Sequence, residues 1–168
     1  SPYDMVYSEI YGMNQVSVQD VLHILEKNGV TVEQVIQLPY IRDDVFNYLP
    51  VTEINRDFGC DYQIQEGEFL NLFQYNLEDG YEHNIQPVST VTIFGDRKLQ
   101  SVGTDVKILF NQNPTFADKT LIINDSDFEK LSADITGSAG IANLFQFQNW
   151  EDSYAGVCEV KEYLQESN

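Results

Sequence analysis

The 168-residue chain carries 9 basic and 27 acidic residues, a formal charge of −18, and is 42% hydrophobic, with ten Tyr and ten Phe. A chain of this length is one domain's worth and can bury roughly 70% of the surface it exposes when unfolded; its aromatic content excludes a disordered chain and predicts an aromatic core. The acid excess excludes nucleic acid as a partner, because phosphate recognition needs clustered Lys and Arg, and it opposes adsorption to an anionic membrane surface.

The acid is spread along the chain: residues 1–80 hold 3 basic and 14 acidic residues, and residues 81–168 hold 6 and 13. The field is therefore global rather than that of an acidic tail. It would draw in a cationic partner over about 8 Å at physiological salt; the plainer reading is that the charge keeps the domain soluble.

In chain order, Val18 to Asn28 predicts the first helix, with Ser17 as cap and Val18, Val21, Leu22 and Leu25 as one apolar stripe closed by Gly29. Val30 to Leu38 is rich in β-branched residues and predicts a strand ended by Pro39. Pro50 and Gly59 bracket a short helical turn from Thr52 to Phe58, with Ile54 and Phe58 on one side. Phe69 to Tyr75, apolar on both faces, predicts a buried strand, and Asp79-Gly80 a hairpin turn. Val88 to Phe94, then Leu99 to Val102 and Val106 to Phe110, predict further strands, with a turn at Gly95-Asp96. Asn111 to Asp118 reads as a loop and Leu121 to Ile123 as a short buried strand.

Ser126-Asp127-Phe128-Glu129 has the S-x-x-E form of a capping box and opens a second helix with Phe128, Leu131 and Ile135 as its apolar face. Thr136 to Gly140 reads as a loop, Ile141 to Phe147 as a strand, and Glu151 to Gln165 as a last helix facing inward through Tyr154, Val157, Val160 and Leu164. Gly156 should weaken that helix by roughly 1 kcal/mol relative to Ala. Pro50-Val51-Thr52-Glu53 and Ile123-Asn124-Asp125-Ser126 echo each other, each running from an apolar residue straight into a helix. The absence of strict β–α–β alternation predicts a single-domain α+β fold: a mixed, mostly antiparallel sheet with about three helices packed on it.

Motifs that carry chemistry are sparse. The chain has no Gly-x-Ser-x-Gly elbow, no His-Glu-x-x-His helix and no phosphate-binding glycine loop, so no catalytic residue, cofactor or metal ligand is assigned. Of the two histidines, His23 falls on the polar side of the first helix, and His83 lies in Tyr81-Glu82-His83-Asn84 beside the turn. Asn124 to Asp127 has the look of a calcium loop but lacks the glycine and terminal glutamate of an EF-hand. Asp43-Asp44 and Glu66/Glu68 are carboxylate pairs of the kind hydrolases use, and they define a hydrolase alternative. Cys60 and Cys158 read as separate buried thiols, with a single bridge as the alternative. The candidate contact residues are Tyr75, Tyr81, His83, the loop from Asn111 to Phe116, and Trp150.

Four segments carry a resemblance. They are Ser1-Pro-Tyr-Asp-Met-Val-Tyr-Ser-Glu-Ile10, followed by a helix ending Leu25-Glu-Lys-Asn-Gly-Val30; Leu49-Pro-Val-Thr-Glu-Ile-Asn-Arg56; Glu66-Gly-Glu-Phe-Leu-Asn-Leu-Phe-Gln-Tyr75; and Leu121-Ile-Ile-Asn-Asp-Ser-Asp-Phe-Glu-Lys-Leu131. Together they resemble the large extracellular domain of FtsX-like ABC transporter permeases of Gram-positive bacteria, of the bacitracin-export type. The resemblance implies one extracellular domain, residues 1–168, excised from between two membrane helices of a longer permease. It implies no catalysis by the domain itself, a separate ATPase subunit, and resistance to antimicrobial peptides. The implied partners are the membrane part of the permease, a cationic peptide or lipid-linked cell-wall precursor, and a sensor histidine kinase. An independent secreted binding or adhesion module is the alternative.

Overall fold

The computed structural model describes residues 5–9, 18–76, 81–82, 87–107, 120–134 and 138–166, with side chains described at 18–72, 87–105, 120–134, 139–149 and 151–166. The elements in order are β1 (Met5–Glu9), α1 (Val18–Lys27), β2 (Val32–Arg42), β3 (Asn47–Pro50), α2 (Val51–Phe58), β4 (Glu68–Asn76), β5 (Tyr81–Glu82), β6 (Thr90–Ile93), β7 (Arg97–Lys107), β8 (Thr120–Ile123), α3 (Asp125–Ala133), β9 (Ser138–Phe147), a 3₁₀ turn (Trp150–Asp152) and α4 (Tyr154–Glu166). The strands join one sheet in the order β1-β9-β2-β3-β8-β4-β7-β6, with β5 paired to β4. Among the described strands, β3–β8 and β4–β7 pair in parallel and the other pairs are antiparallel. The fold is α+β, as the mixed element order predicts.

Alternation along the strands sorts the core onto two faces. On one face, Ile54 of α2 packs with Leu38, Tyr40, Leu49, Leu70, Leu72 and Ile122. On the other, Phe128 and Leu131 of α3 pack over Ile41, Tyr48, Phe69, Leu121 and Ile123. Val21 and Leu25 of α1 and Val160 of α4 close over Phe145 and Phe147 on that same second face, further along the sheet. Tyr40, Tyr48, Phe69 and Phe145 are among the largest fully buried side chains, so the core is aromatic as the composition predicts. Burying each such aromatic or a leucine like Leu25 contributes about 1.5–3 kcal/mol over leaving it exposed.

The helix ends follow local chemistry. Asn28 Nδ2 donates to the Ile24 carbonyl at 2.8 Å, and Gly29 takes φ 76°, so α1 stops where the sequence predicts. Gly59, at φ 65°, closes α2 after Phe58.

Pro39 does not end β2; the strand runs through it to Arg42. β3 pairs only with Ile41 and Arg42, so Pro39, opposite Ile141 of β9, lies where just one flank of β2 is paired. Residues 138–140 are not loop: Ser138, Ala139 and Gly140 pair with Arg42, Ile41 and Tyr40. Their local propensity is poor, and the ladder overrides it. The strand predicted from Val88 begins at Thr90; Val88 is instead held by the buried Asn71, which donates to its carbonyl at 2.9 Å and accepts from its N–H at 3.2 Å. Residues 99–102 and 106–107 belong to the single strand β7, with a bulge at Val102 beside Gly103. The turn expected at Asp79-Gly80 and Ile135 lie outside the described residues; β4 and β5 form an antiparallel pair.

The last helix departs most from expectation. Its inward stripe is Gly156, Val157, Val160, Tyr163 and Leu164, while Tyr154 is 79% exposed. Tyr154 precedes Gly156 by two residues, which is about 200° around a helix, so it falls on the far side. Gly156 sits where α4 crosses α1: a Cβ there would lie 3.0 Å from Val30 Cγ2 and 3.3 Å from Leu25 Cδ2. The glycine is thus a contact point. Polar links complete the seam, with Lys27 Nζ 2.7 Å from Glu159 and the Tyr163 hydroxyl donating to Asp20 at 2.9 Å.

The hydrogen bond from Lys27, joined by its charge, holds the Glu159 carboxyl below its ordinary 4.5. A carboxylate with a lowered folded value adds stability above its unfolded value and loses it as pH falls through the folded one. NMR titration of the Glu159 carboxyl should give a midpoint below 4.5, and Lys27→Met should raise that midpoint. An unchanged midpoint in the variant would show that the ion pair is not formed in solution.

Candidate functional site

The sequence-selected contact residues do not form one cluster. Tyr75 and Tyr81 come close in the ladder, where Tyr75 pairs with Glu82 and Tyr81 with Asn76. Trp150 follows the C-terminal end of β9, whereas β4 leaves the sheet at the end where β9 and β8 begin. The length of the sheet therefore separates Trp150 from the two tyrosines. His83 and the loop from Asn111 to Phe116 lie outside the described residues. His23 is exposed on α1, as expected.

The polar groups that do converge lie where β3 and β8 hand over to α2 and α3. These strands run parallel with Pro50 opposite Ile123, so the two segments that echo each other in sequence occupy equivalent places. The paired residues Leu49 and Ile122 share one face of the sheet and Tyr48 and Leu121 the other, yet α2 packs on the first face and α3 on the second. Both helices begin side by side, and the start of α3 serves both. Asn124, not Ser126, is the N-cap: its Oδ1 accepts from the Ser126 N–H at 2.9 Å while its Nδ2 donates to the Ile64 carbonyl at 3.0 Å. The S-x-x-E pattern places the cap two positions late, at Ser126, because Ser and Asn both cap well and only the backbone turn decides between them.

Asp125 reaches across and accepts from the Thr52 N–H at 3.1 Å. It supplies the cap that α2 lacks, since Pro50 at the α2 N-cap makes no side-chain bond. Asp125→Ala should therefore destabilise the fold by about 1 kcal/mol, the usual worth of an N-cap, with urea unfolding as the readout. Asp125→Asn should keep most of that stability, because the amide oxygen still accepts. Equal losses from both variants would sink the capping role.

Asp127 is fully buried and accepts from the Gly67 N–H at 2.8 Å. Arg97 Nη2 lies 2.8 Å from its other oxygen, at an angle outside hydrogen-bond geometry, so that contact is an ion pair. The Asn124–Asp127 turn thus ties α2, the segment at Ile64, the turn at Gly67 and β7 together. Its acidity looked like a calcium loop in sequence; its oxygens are engaged by protein donors instead.

Of the carboxylate pairs, Asp43, Glu66 and Glu68 are likewise engaged, while Asp44 is exposed. Asp43 accepts from the Val45 and Phe46 N–H groups at 2.7 and 2.6 Å and from the Tyr48 hydroxyl at 2.7 Å. Burial, aided by that bond, holds the Tyr48 hydroxyl well above its ordinary range. Glu68 accepts from the Gln65 N–H at 2.9 Å. The Ser126 hydrogen bond and the Lys130 charge hold the exposed Glu66 carboxyl below its ordinary 4.5, the opposite of what a general acid at neutral pH needs. On the α2 face, the Tyr62 hydroxyl donates to Asp105, and burial and that bond push it upward. Asn55 holds Tyr62 through both backbone groups, at 2.9 and 3.0 Å.

Cys60 and Cys158 are both free thiols, the first packed in the α2-side core and the second on α4 across the sheet. Among the described residues no group of three or more His, Cys, Asp or Glu side chains could hold a metal ion. Exposed Tyr154 is the feature that sequence reasoning missed; only a correct helix phase would have found it. Fold and polar groups together define an acidic α+β domain whose described buried polar groups are occupied in holding the fold. No family model matches the chain, and a comparison with curated proteins finds no match either.

Proposed function

We propose that the chain is an extracellular, non-catalytic contact domain of an FtsX-like ABC permease of the bacitracin-export type. In this reading it contributes to recognition of a cationic antimicrobial peptide or its lipid-linked target, or to coupling with a sensor kinase. The carrying observation is the state of the charges. Lys27, Arg56, Arg97 and Lys130 are each engaged by a carboxylate of the chain itself. The surplus behind the net charge of −18 is left facing outward, at exposed positions such as Glu26, Glu33, Asp44, Asp61, Asp96 and Glu162. A field of this sign speeds encounter with a cationic partner and repels anionic surfaces.

The resemblance also has spatial coherence that supports the reading. Three of its segments, 49–56, 66–75 and 121–131, form the adjacent strands β3, β8 and β4 together with α2 and most of α3. No helix among the described residues is long and apolar enough to cross a membrane, so the proposed spans belong to flanking sequence.

Titration of the domain with a lysine-rich peptide should give weak binding whose affinity falls steeply as salt rises from about 50 to about 500 mM, over which screening shortens the field severalfold. Tight binding indifferent to salt would overturn the charge argument. The parent reading frame supplies the second test: apolar stretches of about 20 residues on both sides of the domain are expected. A signal peptide with no such spans would favour the secreted binding module.

A further inference from the structure

We draw no further inference here: the strongest candidate, the surface patch at the start of α4 where the 79% exposed Tyr154 follows the exposed carboxylates Glu151 and Asp152, is an acidic cluster with one aromatic, and nothing in the structure shows what covers it.

Discussion

Asp127→Ala is expected to destabilise the fold by about 3 kcal/mol, the low end of what breaking a buried ion pair costs. The carboxylate is fully buried; one oxygen accepts from the Gly67 N–H and the other is ion-paired with the Arg97 guanidinium. Removing it strands a backbone donor, worth about 1–3 kcal/mol on its own, and leaves a cation without its partner. Arg97 is 33% exposed, so water recovers part of its solvation, which is why the low end applies. At this chain length the loss corresponds to a fall in Tm of about 6–12 °C. Asp127→Asn retains an acceptor for Gly67 and should lose less. Arg97→Ala should also lose less than Asp127→Ala if both contacts matter; equal effects would place all the energy in the ion pair. A loss under about 1 kcal/mol for Asp127→Ala would mean that the turn is not the junction it looks to be.

Gly156→Ala should destabilise by up to about 2 kcal/mol net, after the helix-propensity gain of about 1 kcal/mol that the same change brings. Two effects of opposite sign compete, and packing wins. The new Cβ would meet Val30 Cγ2 at 3.0 Å and Leu25 Cδ2 at 3.3 Å. Both neighbours are buried in the α1–α4 core, at 4% and 0% exposure, so they cannot swing aside. Overpacking of this kind costs typically 1–3 kcal/mol, and Gly156→Val, larger and β-branched, should cost about 3 kcal/mol. Chemical denaturation of both variants decides the matter. Stabilisation by Gly156→Ala would show that α4 stands further from α1 than described, and that propensity alone governs the site.

Val18, Val21, Leu22 and Leu25 reveal their helix because the apolar stripe and the burial of that stripe are the same fact seen twice. Leu121-Ile122-Ile123 reveals a buried strand for the same reason, being apolar on both faces and covered on both. Tyr154 misleads because it matches the apolar pattern in composition while lying outside the stripe in phase. Residue type singles out the contact residues, and type carries no address: β4 and β5 pair with Tyr75 opposite Glu82 and Tyr81 opposite Asn76, while Trp150 sits at the far end of the sheet.

Length, charge and apolar spacing by themselves determined the α+β class, the aromatic core, the helices α1 and α2, and the negative field. These are sums or short-range periodicities, readable because each residue's contribution depends only on itself and its near neighbours. Tertiary structure alone decided that β2 runs through Pro39, that residues 138–140 become strand, that Asp125 caps a helix 73 positions away and that Asp127 reaches Gly67 across 60. A hydrogen bond or a close helix crossing depends on which partner arrives opposite, and that partner is set by how the whole sheet assembles rather than by any window of sequence.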